Sequence, residues 1–199
     1  MNSKLLFCTL FFASIGLCAQ DKKWSVEANY PIIDEDGLNG VIDLGVKYRF
    51  VNLGVVQLGA GLNGSFFVDR QHFYFDDNLE FDNKWKRLLI QPTVFGEINL
   101  PGISRLKPSV GVGYSVLLDE YDRKIVDSGY NESDSWGAFN ANLGLSYDLT
   151  NRFFVKIQYD YLNHRQKWLA EADYENNVYR YETRGKSLNV FKAGIGFRF

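Results

Sequence analysis

The carboxyl end of the chain limits its fold most. Phe191, Ala193, Ile195, Phe197 and Phe199 alternate there with Lys192, Gly194, Gly196 and Arg198. A period of two is the mark of a β-strand, here with one apolar face and one small or charged face. The same alternation recurs along the chain. Trp24, Val26, Ala28 and Tyr30 oppose Ser25, Glu27 and Asn29, and Ile42 to Phe50 oppose Asp43, Gly45, Lys47 and Arg49. Val56 to Leu62, Leu88 to Ile98, Val110 to Leu118, Phe139 to Tyr147 and Phe153 to Tyr161 repeat it. Eight strands are therefore expected, an even number, as closure of an antiparallel barrel with both ends on one rim requires. Pro92 lacks a ladder donor, so a local bulge is expected at that point.

Composition fits this reading and excludes others. Aromatic residues are 16% of the chain, yet mean hydropathy is slightly negative. After residue 19 no apolar run approaches the ~20 residues of a membrane-spanning helix. Alternation hides a barrel from hydropathy, because each apolar residue is followed by a polar one. Met1 to Ala19 has the form of a secretory signal: Lys4, an apolar run from Leu5 to Leu17, and a small residue at the expected cut. A lipid-anchored reading through Cys18 is weaker, since bulky Leu17 precedes it. Residues 20–199 then form one domain with no cysteine, which excludes disulfides, thiolate metal sites and a thiol nucleophile. The net charge of −2 gives no basic surface for nucleic acid.

The connections fall into two alternating kinds. Val51 to Leu53, Pro101 to Lys107 and Thr150 to Arg152 are short or turn-rich, whereas 31–40, 68–87, 119–135 and 163–187 are longer and mostly polar. Short turns on one rim and long hairpin loops on the other are expected. Two aromatic girdles follow, with Tyr48, Phe50, Tyr147, Phe153, Phe197 and Phe199 near the short turns and Tyr30, Phe66, Trp136, Tyr159 and Tyr161 near the loops. A soluble lipocalin-like barrel is the competing fold, with its apolar face inside. Glu27, Asp43, Glu97 and Asp160 would share the interior with Lys47, Arg49, Lys156, Lys192 and Arg198. Eight strands enclose little more than their own side chains, so these charges are expected to pair. A wide pore is excluded. The interior glycines leave a narrow water path open as an alternative.

The terminal pattern, with Lys192, Gly194, Phe197 and Phe199 in its key places, resembles the carboxy-terminal assembly signal of bacterial outer-membrane barrels. The whole of 20–199 resembles the small eight-stranded barrels of the OmpA and OmpX type. The resemblance implies a monomeric antiparallel transmembrane β-barrel in the outer membrane of a Gram-negative bacterium, with short periplasmic turns and long extracellular hairpin loops. It also implies recognition by the barrel assembly machinery and contact with outer-membrane lipid and lipopolysaccharide. No family-specific functional motif accompanies it.

Function is therefore sought in the hairpins, expected to turn near Asp76–Glu80, Asp127–Ser133 and Ala170–Asn177. They carry Tyr74, Trp85, Tyr121, Trp168, Tyr174, Tyr179 and Tyr181, aromatics mixed with charge as in recognition surfaces. Mutual packing that steadies the hairpins is the plainer use of the same rings. Acidic Asp119, Glu120, Asp122, Asp127, Glu132 and Asp134 suit solvation better than a metal site, because no ligand spacing is present. Among possible catalytic groups, Asp160 and His164 share a strand face four residues apart, but a solvated histidine is the default. The expected function is surface recognition or envelope structure, without enzymatic activity, cofactor or metal. Alternatives are an accessory subunit of a secretion or uptake complex and a lipid-modifying enzyme.

Overall fold

The computed structural model describes residues 22–35, 38–75, 79–125, 128–173 and 178–199, with side chains except within 71–82, 123–132 and 164–184. The expected signal segment and the hairpin tips at 76–78, 126–127 and 174–177 lie outside the described residues. Eight strands form one closed antiparallel barrel: β1 (Trp24–Ile33), β2 (Asn39–Asn52), β3 (Val56–Phe75), β4 (Leu79–Ile98), β5 (Leu106–Ile125), β6 (Ser128–Asp148), β7 (Phe153–Asp173) and β8 (Val178–Arg198). Each pairs with its sequence neighbours, and β1 closes on β8 from Ser25 opposite Arg198 to Ile33 opposite Val190. Beyond that ladder, Trp24 and Phe199 exchange two further backbone hydrogen bonds of 3.1 and 3.0 Å.

The alternation read from the sequence sets which face is which. Leu44 is 55% exposed and its neighbour Asp43 fully buried; Ile157 is 60% exposed and Asp160 fully buried. Apolar side chains thus face outward and charged ones inward, the inverse of a soluble barrel. This is the arrangement that a bilayer demands of a membrane-spanning barrel, whose closed ladder leaves no unpaired sheet edge to lipid. On β4 the outward apolar stretch runs from Leu88 to Ile98. At about 3.3 Å per residue and a tilt of about 40°, it covers about 25 Å, the height of a lipid-facing band.

Several details depart from expectation. Pro92 makes no bulge: the pairing keeps one register on both sides of it, and the β4–β5 ladder only skips from Ile90 to Thr93. The lost donor is absorbed as a gap. Register shifts occur instead between Gly40 and Ile42, between Arg49 and Val51, and between Leu169 and Glu171. Trp136, assigned to a girdle, shares the inward face of Ala138 and Asn140. Phe199 is 8% exposed, stacked against Phe197 at 6.2 Å. The long segments carry paired strand to the turns expected near 76–80 and 170–177, but β6 already begins at Ser128, inside the turn expected at 127–133. The pairing continues to Phe75 opposite Leu79, Ile125 opposite Ser128 and Asp173 opposite Val178.

Candidate functional site

Inward positions of all eight strands fill the lumen in layers. Nearest the short-turn rim, Arg49 donates to Ser25 at 3.2 Å and pairs with Glu97 at 3.1 Å. Arg198 lies 3.7 Å from Glu97 and also pairs with Asp148, which Lys107 reaches at 3.1 Å. One step inward, Glu27 sits between Lys47 at 3.1 Å and Lys156 at 2.5 Å. Higher still, Lys192 bridges Asp43 at 2.8 Å and Asp160 at 2.9 Å and donates to Gln91 at 2.6 Å. Asn29 and Ser65 donate to the same Asp43, each at 2.6 Å. Charges removed from water are stable only with such partners, and all nine interior charges expected from the sequence are buried and paired.

Two aromatic residues missed in the sequence help to fill this polar core. Phe95 and Phe154 point inward and are almost fully buried. The Arg198 guanidinium lies 4.2 Å from the Phe154 ring centre, and the Lys47 ammonium 5.1 Å from that of Phe95. Phe154 lies flat over Gly196, where an added Cβ would stand 2.1 Å from the ring. The glycine is thus needed for space, and the aromatic–glycine pairing supplies the only local signal for an inward ring.

Above the charges the lumen turns apolar. Ile33, Leu38, Phe67, Leu89, Leu117, Ala138, Leu162, Leu188 and Val190 form one buried cluster, with Trp85 packed against it. Over this plug lies an ionic clamp centred on Arg87, 1% exposed. Its guanidinium holds Asp119 through two hydrogen bonds of 2.7 and 2.8 Å and also pairs with Glu35. Lys186 reaches Glu35 at 2.7 Å, while Trp85 and Trp136 flank Arg87 at 4.8 and 5.6 Å. Burial alone would raise the Glu35 carboxyl, but Lys186 and Arg87 outweigh it and hold it below the usual carboxylate value. Sequence reasoning missed this clamp because Arg87 and Asp119 fall in segments read as loops.

The aromatic residues proposed for recognition are distributed unevenly. Trp85 and Tyr121 face each other across the β4–β5 ladder and share the inward face of Arg87 and Asp119. Tyr74, Trp168, Tyr179 and Tyr181 occupy strand positions in β3, β7 and β8, but their side chains lie outside the described residues, as does Tyr174 altogether. The acids are largely engaged: Asp119 by Arg87, and Glu120 and Asp122 by Lys86 at 2.9 and 3.6 Å. Asp127 and the side chains of Glu132, His72 and His164 lie outside the described residues. Asp160 is committed to Lys192 and Gln158. Leu162, fully buried in the plug, stands between Asp160 and position 164 on the same strand face.

The terminal-pattern residues serve the closing seam, the lumen or, for Phe197, the outer face of the β7–β8 ladder. Lys192 bridges two acids, and a Cβ on Gly194 would lie 2.2 Å from the Ala28 carbonyl oxygen of β1. Phe197 packs edge-on against Phe153 at 4.9 Å, and Phe199 completes the β1–β8 hydrogen bonding.

No family model and no curated protein matches the chain. Solved structures similar to it include neisserial surface protein A, at 12% identity and a TM-score of 0.47, with 88% of this chain and 96% of that one covered. Ail, the attachment invasion locus protein of Yersinia pestis, is similar at 18% identity and a TM-score of 0.44, over 88% and 96% of the two chains. The N-terminal barrel domain of Pseudomonas aeruginosa OprF follows at 20% and 0.40, over 88% and 97%. At this overlap the likeness extends to general barrel shape and carries nothing about activity or partners. The chain itself is a closed eight-stranded antiparallel barrel, apolar outside and charged within, the architecture that its sequence resembles.

Proposed function

We propose that this chain is a non-enzymatic barrel of the outer membrane, closed to solutes, whose hairpins serve surface recognition or envelope structure. The observation that carries the reading is the double seal of the lumen, in which a paired charge network lies beneath an apolar plug and the Arg87 clamp. A lumen so filled at its centre does not support conduction. The same strands continue as paired hairpins well past the apolar band, with Leu79–Arg87 alone adding about 25 Å of strand. In the proposed orientation the hairpins stand outside the cell and the short turns face the periplasm. Lipid and lipopolysaccharide surround the band, and a protein or host surface meets the hairpins.

The test shortens the β7–β8 hairpin by replacing 170–177 with a tight turn. The remaining ladder, from Phe153 opposite Phe197 up to Lys167 opposite Thr183, closes the barrel without it. Heat-modifiable gel mobility is expected to persist while whole-cell binding to host or envelope surfaces falls to the level of cells lacking the protein. Unchanged binding would refute a recognition role for that hairpin. A lipid A or phospholipid profile that differs between cells with and without the protein would favour the enzyme instead. Stoichiometric co-purification with a secretion or uptake complex would favour the accessory subunit.

A further inference from the structure

The short-turn mouth of the barrel opens into a vestibule of about 570 Å³. Its walls carry Lys22, Arg49, Arg105, Lys107 and Arg198 against the single carboxylate of Asp148. Glu97, just beneath, adds a second acid. These two acids are shared among the three inner cations: Asp148 by Lys107 and Arg198, and Glu97 by Arg49, Arg198 and, at 4.0 Å, Lys107. Lys22 and Arg105 on the rim have no side-chain partner among the described residues, leaving the mouth with a clear positive excess. The Nε atoms of Arg49 and Arg198 are buried without a hydrogen-bond acceptor, although both side chains are over nine-tenths buried. Clustered cations in a recess with low-dielectric walls concentrate a field that attracts anions. Guanidinium forks beside ammonium groups match phosphate oxygens.

We propose that this vestibule binds a small ligand bearing two or more phosphate groups. A recess of about 570 Å³ is of ligand size, larger than a single phosphate needs, and its cations are spread between the inner Arg49–Arg198 pair and the rim. The site lies at the rim opposite the hairpins, so it stands independently of the recognition reading.

Isothermal titration of the purified barrel in zwitterionic micelles tests it, with tripolyphosphate as the probe and citrate as the carboxylate comparison. Saturable one-to-one binding of tripolyphosphate is expected, weakening steeply as salt rises. Lys22 and Arg105 hold no structural pair, so Lys22→Ala and Arg105→Ala leave the fold intact, as heat-modifiable mobility verifies. The double variant is expected to bind about tenfold more weakly, and Arg105→Glu more weakly still. No saturable binding, or equal affinity in wild type and double variant, would overturn the site. Tighter binding of citrate than of tripolyphosphate would overturn the assignment to phosphate.

Discussion

Lys192 and Arg49 are both buried cations, yet the network makes them unequal. Lys192 is shared by Asp43 and Asp160, and no second cation is paired with either acid among the described residues. Arg49 serves Glu97, which keeps Arg198 at 3.7 Å and Lys107 at 4.0 Å. Lys192→Met leaves buried acids uncompensated and is expected to cost about 3–5 kcal/mol. Arg49→Met loses the hydrogen bonds to Glu97 and Ser25 while Arg198 and Lys107 still compensate the acid, and is expected to cost less, about 1.5–3 kcal/mol. Urea unfolding of refolded protein in lipid bilayers, followed by tryptophan fluorescence, gives both values without involving assembly in the cell. Equal losses, or a larger loss for Arg49→Met, would contradict the assigned pairing. The nine interior charges were legible in the sequence from alternation alone. Which acid meets which base was not, because pairing crosses the barrel between strands on opposite sides, as from Arg198 of β8 to Glu97 of β4.

At the scale of elements, strand positions were legible and strand lengths were not. Alternation reads clearly while outward residues are apolar, as from Leu88 to Ile98. At the top of the band the inward positions become apolar Leu89 and Leu117, and above it the outward ones become Lys84, Lys86, Glu120 and Asp122 while Trp85 and Tyr121 join Arg87 and Asp119 inside. The polarity of the pattern inverts there, and a strand then reads as a polar loop. The clamp arises at this inversion and ties the connection after β1 to β4, β5 and β8 through Glu35, Arg87, Asp119 and Lys186. Its pH dependence follows from Glu35. The carboxyl sits below its usual value when folded, so its contribution is complete above about pH 4.3 and is lost as pH falls through the depressed folded value. Protection factors of the β4–β5 hairpin amides, corrected for the intrinsic pH dependence of exchange, are expected to fall below about pH 4 in the wild type. Glu35→Gln should exchange faster already at neutral pH and lose much of that acid-induced change. An acid response identical in both proteins would remove Glu35 from the clamp.

For the whole molecule, an even strand count, an apolar exterior and a charge-filled interior were all present in the sequence, and the closed barrel follows from them. The apolar plug was hidden. Its members are contributed singly or in pairs by nearly every strand, and no local window shows that Phe67, Leu89, Leu117, Leu162 and Leu188 meet on the axis. With the plug above and paired charges below, ions are not expected to pass, because an apolar constriction excludes them even where polar groups flank it. Single-channel recording of the purified protein in planar lipid bilayers tests this most directly. A flat trace at both polarities is expected, with at most brief flickers, and stable open steps of porin size would contradict the sealed lumen.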